Sequence, residues 1–276
     1  MSDPFQEILD TNGNNHHAKV VSVFRSLGWQ ALVSPYYSDN FTDKAREIDV
    51  IVENDYNIDD NVDRFDPVRI RFFLECKYIV QESVLWFDKK DIGRTRGLVD
   101  AMFNTNTDRF QHEISNYYYG GDIPVVKLFA SKGGRSGENE PLAKAVNQCL
   151  NAFIYYRNEQ TASLPAGKNL SSTLSYPVIV CNSFDKFRMV PMYGLVESPK
   201  KITEPFQLEV NYAYLDHSKK PQNEFFLIDV ITIDQIEDYI QNIFNKDVVA
   251  EASRVRLLSY ESDSTSEESF DPYTSL

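Results

Sequence analysis

The sequence predicts a mixed α/β fold, because helical and strand patterns alternate along the chain. Apolar residues spaced by three and four predict a helix over 16–27, and Gly28 stands where a helix C-cap belongs. Residues 29–37 have the composition of a strand, and two further apolar strands are predicted over 46–52 and 71–77. A helix followed by several strands indicates a sheet with helices packed against it.

The rest of the chain continues this alternation and suggests a division into segments. A nuclease-like core is assigned to 1–160, a linker or exposed loop to 161–175, a smaller C-terminal α/β block to 176–258, and an acidic tail to 259–276. The second block is expected to complete the sheet, to recognise substrate or to contact a partner. The further elements that the pattern predicts are helices over 98–118, 141–156 and 233–244, and strands over 124–131, 176–180, 206–214 and 225–231.

Two of the predicted strands carry charged side chains where packing residues are expected. Residues two apart share a face of a strand, so Glu47 lies on the same face as Asp49, and Glu75 on the same face as Lys77. If the strands are neighbours in the right register, Asp49, Glu75 and Lys77 converge. Two carboxylates suit Mg²⁺ or Mn²⁺, and an ammonium group can orient or activate a water molecule.

The order Asp49, then Glu75-Cys76-Lys77 at the end of the next apolar strand, resembles the signature of the PD-(D/E)XK nuclease superfamily. This superfamily includes restriction endonucleases, Mrr-like enzymes and many phage-defence nucleases. The resemblance implies a restriction-endonuclease-like α/β/α sandwich with a central mixed sheet. It also implies Mg²⁺-dependent endonuclease activity, with DNA as the expected substrate and defence against foreign DNA as a role.

The resemblance also implies roles for individual residues. Asp49, Glu75 and the backbone carbonyl of Cys76 would hold the metal, and Lys77 would position the attacking water. Glu47 is a candidate additional ligand, and Gln81 is a candidate for orienting the site. The superfamily often has a metal-binding Glu on its first helix, but residues 16–21 contain none and Glu7 lies earlier. The adjacent His16 and His17 project about 100° apart on a helix, so they make poor co-ligands.

Three other interpretations stay open. Asp49, Glu75 and Lys77 could form only an ion pair between strands, which is a common arrangement. The chain could also be a non-catalytic member of the same fold that acts as a binding or scaffolding subunit. A third possibility is a regulatory protein that acts through its acidic tail.

Charge distribution bears directly on nucleic-acid binding. The net charge of −13 argues against broad affinity for nucleic acid, yet residues 64–176 sum to +3. A DNA-facing groove could be built from the basic residues of this stretch, although solvated surface charge is the alternative for each of them. These residues are Lys89, Lys90, Arg94, Arg96, Arg109, Lys127, Lys132 and Arg135.

The remaining composition indicates a cytoplasmic protein. Cys76, Cys149 and Cys181 form no disulfide framework, the apolar runs are short, and residues 1–4 do not resemble a signal peptide. No membrane association is therefore expected, while a protein partner or homo-oligomer stays open. The tail is expected to be a solvated appendage, with occupation of the basic groove as the alternative.

Overall fold

A computed structural model describes Phe5 and residues 13–56, 67–103, 114–132, 141–157, 172–194, 198–216 and 218–254. Ten strands of this part form one mixed sheet in the order β1-β4-β5-β8-β12-β11-β7-β6-β9-β10, and β2 pairs with β3 separately. The strands are β1 Gln30–Val33, β2 Tyr36–Ser38, β3 Ala45–Glu47, β4 Val50–Tyr56, β5 Val68–Lys77, β6 Ser83–Asp88, β7 Val125–Ser131, β8 Ser172–Cys181, β9 Phe187–Pro191, β10 Lys200–Lys201, β11 Phe206–Leu215 and β12 Pro221–Thr232.

Helices pack on both faces of the sheet and bury two separate cores. One core surrounds Phe73, Leu150 and Ile228 and is covered by α3; we call it the α3-side core. The other contains Phe24 and Tyr239 and is covered by the remaining helices; we call it the α1-side core. The helices are α1 Gly13–Ser26, α2 Ile92–Phe103, α3 Pro141–Arg157 and α4 Ile236–Ile243, with 3₁₀ turns at Ile114–Asn116 and Ile233–Gln235 and a π-helical turn at Phe244–Val248.

The position of β5 between two other strands explains why most of its residues are apolar. β4 pairs antiparallel with β5, and β5 pairs parallel with β8 from Val68 opposite Ser172 to Lys77 opposite Cys181. A strand with a neighbour on each side and helices on both faces is shielded from water, so most of its side chains must pack. Charged groups at its carboxyl end are therefore unusual.

The mixed α/β prediction is confirmed, and several element boundaries differ from the sequence pattern. The strand expected over 46–52 is interrupted at Ile48 and Asp49, between β3 and β4. The strand expected over 29–37 is interrupted at Ser34, whose φ of 54° ends β1. Helix α2 begins six residues before the expected 98, and residues 104–113 lie outside the described part. Gly28 has a φ of 83°, as expected of a C-cap glycine.

Strands from both predicted segments belong to the same sheet. β8, β12 and β11, from the C-terminal block, lie between β5 and β7 of the N-terminal core. β8 also begins at Ser172, inside the stretch expected to be a linker, of which residues 161–171 are outside the described part. The C-terminal block thus completes the sheet, which was one of its three expected roles. The sequence pattern had indicated neither β6 nor β9.

None of the helices in the described ranges combines the length and the apolar character that crossing a lipid bilayer requires.

Candidate active site

The end of β5 presents two charged side chains on the α3 side of the sheet. Phe73 packs in the α3-side core and Leu74 in the α1-side core. Because strand residues alternate between faces, Glu75 and Lys77 follow Phe73, whereas Cys76 follows Leu74. Cys76 packs against the α1-side core, as its position predicted, and burial raises the pKa of its thiol.

Asp49 is fixed beside Glu75 by backbone hydrogen bonds. Val50, the first residue of β4, lies opposite Leu74, so Asp49 is next to Glu75 in the register. The backbone amide of Cys76 donates a hydrogen bond to Oδ2 of Asp49 at 2.7 Å. The backbone carbonyl of Asp49 accepts one from the amide of Ser34 at 2.8 Å. The predicted convergence of Asp49 with the Glu75 strand is therefore present.

Glu75 is the most deeply buried of the three predicted catalytic residues, at 1% exposure. Its Oε1 accepts a hydrogen bond from the ammonium of Lys77 at 2.5 Å. Its Oε2 is buried without a hydrogen-bond partner in the described part of the chain. Burial and then the negative charge of Asp49 raise the pKa of Glu75 to about 8, and the neighbouring Lys77 opposes this shift. The carboxyl is thus close to a second carboxylate and incompletely satisfied.

Lys77 connects the strand to helix α3. Its side chain is 18% exposed, and Nζ donates to Oε1 of Gln148 at 3.2 Å. The hydroxyl of Tyr37 donates to the backbone carbonyl of Gln148 at 3.4 Å. One turn earlier on α3, the positive charge of Lys144 acts on Glu75, so this exposed lysine also lies near the site.

Gln148 and Lys144 were missed by the sequence analysis. Gln148 is 71 residues from Lys77 along the chain, so nothing in the motif spacing points to it. A weak signal exists in the helix itself. Ala145 and Ala152, three residues before and four after Gln148, are fully buried and lie on the same helix face. A glutamine within such a buried stripe is unusual enough to suggest a polar contact.

Helix α1 has histidines near the site where the resemblance implied a glutamate. Nε2 of His16 lies 2.9 Å from the backbone carbonyl of Val180, and burial lowers the pKa of His16 while the charge of Asp49 opposes the shift. Nε2 of His17 is buried without a hydrogen-bond partner among the described residues. Glu7 lies outside the described residues. Within the described ranges, no three His, Cys, Asp or Glu side chains group closely enough to hold a metal ion.

Among the described residues, no hydrogen bond or ion pair joins the two additional candidates, Glu47 and Gln81, to this group. Glu47 is exposed in β3, where it pairs with Tyr36 of β2, so the interruption at Ile48 and Asp49 separates it from the β4 face. Gln81 is also exposed, and its described contact is a backbone carbonyl that accepts from the hydroxyl of Ser83 at 3.4 Å. The described contact of Cys76 with the site is made by its amide, and a metal-binding role for its carbonyl stays a prediction.

Two of the residues expected in a basic groove, Lys90 and Arg94, lie elsewhere in the structure. Lys90 is buried at 4% exposure, and its ammonium donates to the carbonyls of Tyr119 and Gly121 at 2.8 Å each. Its assignment to a nucleic-acid surface is therefore wrong. The guanidinium of Arg94 lies 4.8 Å from the ring centroid of Phe225, which belongs to the α1-side core. Arg94 is thus on the sheet face opposite Glu75.

The other basic candidates have separate environments. Lys127 forms an ion pair with Glu209, and Lys132 forms an exposed one with Glu82 at 3.3 Å. Lys89 and Arg96 are exposed, so their nucleic-acid role stays a prediction. Arg109 and Arg135 lie outside the described residues.

Comparisons of this chain with protein-family models, with curated proteins and with solved structures found no match. A function can therefore be argued only from the chemistry of the site. An ion pair between strands was the alternative to a metal site. Lys77 does pair with Glu75, but both residues belong to β5, so this ion pair lies within one strand. That pairing accounts for one carboxylate oxygen of Glu75, and the other has no hydrogen-bond partner in the part of the chain that the structure describes.

Proposed function

We propose that this protein is a metal-dependent nuclease that hydrolyses phosphodiester bonds in DNA, with a restriction-endonuclease-like fold and a role in defence against foreign DNA. The observation that carries the proposal is the buried Oε2 of Glu75, which has no hydrogen-bond partner among the described residues, in a site that also contains Asp49 and Lys77. Their order in the sequence is the order of the nuclease signature.

The residues fit a hard divalent cation. A buried carboxylate oxygen without a hydrogen bond is costly, and a bound cation would satisfy it. Asp49 and Glu75 would hold Mg²⁺ or Mn²⁺, with the carbonyl of Cys76 as a further ligand, because these ions prefer oxygen ligands. A bound ion would lower the pKa of a coordinated water and offset negative charge on the scissile phosphate. The histidine-bearing α1 supplies no carboxylate within its described length.

In this proposal Lys77 orients the nucleophile. An ammonium group can donate three hydrogen bonds, and Lys77 donates one to Glu75 and one to Gln148. The third can hold a water molecule in a fixed position. Lys144 offers a separate cation for the phosphate backbone, because it is exposed and close enough to affect Glu75.

Cleavage assays with matched lysine variants test the proposal. Wild-type protein should cut plasmid or linear DNA with Mg²⁺ or Mn²⁺ and should stop in excess chelator. Lys77→Ala should lose cleavage by at least about 100-fold, the scale of a lost general acid–base or positioning group. Lys186→Ala, which removes an exposed lysine between β8 and β9 that has no expected role in binding nucleic acid, should stay within about twofold of wild type. Parallel reactions on RNA test the choice of substrate.

Two outcomes would contradict the nuclease proposal. One is folded wild-type protein that cuts neither DNA nor RNA with either metal. The other is Lys77→Ala cutting at the wild-type rate, because a contaminating nuclease would then be responsible.

A non-catalytic binding subunit of the same fold is the second candidate. It is favoured by the net charge of −13 and by the lack of a three-ligand metal group among the described side chains. Such a protein would bind a partner or DNA without metal-dependent turnover. The chelator arm of the cleavage assay therefore separates the two candidates.

A further inference from the structure

An apolar groove of about 570 Å³ lies beside the edge of the sheet formed by β6, β9 and β10. Its apolar lining includes Phe87, Pro124, Met189, Met192 and Tyr193. Tyr193 is 75% exposed and Met192 is 36% exposed. Large apolar side chains grouped in an exposed concave surface are typical of interaction sites.

Two lysines give the groove a positive rim. Lys89 and Lys200 line it, against one carboxylate, that of Asp88. Lys200 lies opposite Met189 in the pairing of β10 with β9, so its position at the groove is fixed by the sheet register. An apolar floor with cations at its edge favours an acidic segment that also carries large apolar side chains.

We propose that this groove binds residues 259–276 of the same chain. This segment holds five acidic residues and no basic ones, which complements the two lysines. It also contains Phe270, Tyr273 and Leu276, which can fill an apolar groove. The sequence alone favoured a solvated tail because the segment is acidic, rich in serine and free of Lys and Arg.

The tail is long enough to reach the groove. Arg254, the last described residue, is close enough to Tyr117 for their side chains to interact electrostatically. Tyr117 is seven residues before Pro124 in the groove, a span of at most about 25 Å. Residues 255–276 can extend over roughly 70 Å. The contact therefore requires no rearrangement of the described elements.

Attachment to the same chain makes the tail a better occupant than a free acidic peptide. A tethered segment has an effective concentration on the order of 1 mM. An intrinsic dissociation constant of about 0.1 mM would then keep the groove about nine-tenths occupied. This inference rests on the groove and the tail alone and is independent of nuclease activity.

Competition binding on full-length protein tests the inference. The probe is a fluorescent synthetic peptide of residues 259–276, measured by anisotropy at low salt. It should bind the full-length double variant Phe270→Ser/Tyr273→Ser about tenfold more tightly than wild type, whose own tail competes. Adding Lys200→Glu to the double variant should weaken probe binding severalfold, because a rim cation is reversed.

Each outcome decides the question. Equal probe affinity for wild type and the double variant would overturn the inference, since the native tail would not occupy the surface. Undetectable probe binding to the double variant would also overturn it. Probe affinity unchanged by both Lys200→Glu and a second groove variant, Met192→Glu, would place any binding elsewhere and overturn the assignment. Circular dichroism of each variant confirms that the fold is retained, and Lys200 is exposed, so its variant should fold.

Discussion

The ammonium group of Lys77 lies 2.5 Å from Oε1 of Glu75, while Oε2 of the same carboxylate has no hydrogen-bond partner among the described residues. A carboxylate kept for stability alone would be expected to have both oxygens satisfied. Glu53, on the same face of neighbouring β4, also has an Oε2 without a hydrogen-bond partner among the described residues. That oxygen, however, lies 3.4 Å from the guanidinium of Arg69, and Oε1 pairs with Arg71, so both oxygens of Glu53 face a cation. We therefore expect Glu53 to stabilise the fold and Glu75 to contribute little to stability.

Replacing each glutamate with glutamine should show how much each contributes to the free energy of unfolding. In excess chelator, Glu75→Gln should change the free energy of unfolding by less than about 1 kcal/mol, because burial already favours the uncharged form of this carboxyl. Glu53→Gln should cost about 3–5 kcal/mol, because it leaves buried Arg71 without its carboxylate partner. Arg69, by contrast, keeps its pairing with Asp55. Urea denaturation of both variants measures the difference. A loss as large for Glu75→Gln as for Glu53→Gln would mean that Glu75 is structural.

Lys89 and Lys90, which are adjacent in the connection between β6 and α2, should also differ in how much they contribute to stability. Lys90→Met removes the donor to two carbonyls, so it should cost about 2–4 kcal/mol of unfolding free energy. Lys89→Met removes an exposed charge and should stay within about 0.5 kcal/mol of wild type. Thermal or urea denaturation compares the pair. Equal stabilities would contradict the buried placement of Lys90.

The sequence predicted the strands and helices around the site better than it predicted the surroundings of individual charged side chains. Strand β5 and helix α3 have strong patterns, since one contains the apolar run Phe72-Phe73-Leu74 and the other repeats at three and four. Strands β6 and β9 have half-buried, irregular patterns that resemble loops. The motif itself brought Asp49 and Glu75 together because register follows from which side chains can face the core.

Burial of individual charges could not be predicted from the sequence. Lys89 and Lys90 are adjacent and chemically identical, yet the carbonyls that receive the Lys90 ammonium belong to Tyr119 and Gly121. Gln148 reaches Lys77 only because α3 crosses over the end of β5. Such contacts depend on tertiary packing between segments that are distant in the chain, so local sequence patterns do not predict them.

Two carboxyls in the α1-side layer should make stability fall as pH rises. Burial raises the pKa of Asp229 and of Asp247 to about 6 each. The folded state therefore keeps protons that the unfolded state has released above about pH 4. The stability contributed by these groups is present below about pH 4 and is lost as pH rises through about 6. Asp229 accepts hydrogen bonds from Gln207 and Tyr239 at 3.0 and 2.9 Å, which oppose its shift only in part.

The variant Asp229→Asn isolates this effect. Between pH 5 and pH 7, wild type should lose unfolding free energy relative to the variant, at no more than about 1.4 kcal/mol per pH unit for one proton. Asp185→Asn, at an exposed aspartate, should follow the wild-type dependence. Urea denaturation across this pH range measures the three curves. Parallel curves for wild type and Asp229→Asn would show that the pKa of Asp229 is not raised.

Gln148 should act as a positioning residue for Lys77. Gln148→Ala removes an acceptor of the ammonium, so the cleavage rate at saturating DNA should fall about tenfold, with little change in the KM for DNA. Asn147→Ala, at the exposed neighbouring position of α3, should keep the wild-type rate. Restoration of the rate by Gln148→Glu, which retains an acceptor, would support positioning. A rate unchanged by Gln148→Ala would remove the residue from the site.

Anomalous diffraction from crystals soaked in Mn²⁺ tests the central claim most directly, because it locates the ion without relying on turnover. We expect one difference peak in wild type within about 2.0–2.3 Å of a carboxylate oxygen of Glu75 and of one of Asp49. The peak should be absent in crystals of Glu75→Gln soaked identically, and present in Glu53→Gln. A wild-type site without Mn²⁺ at saturating metal, or a peak bound by neither carboxylate, would contradict the metal-dependent nuclease.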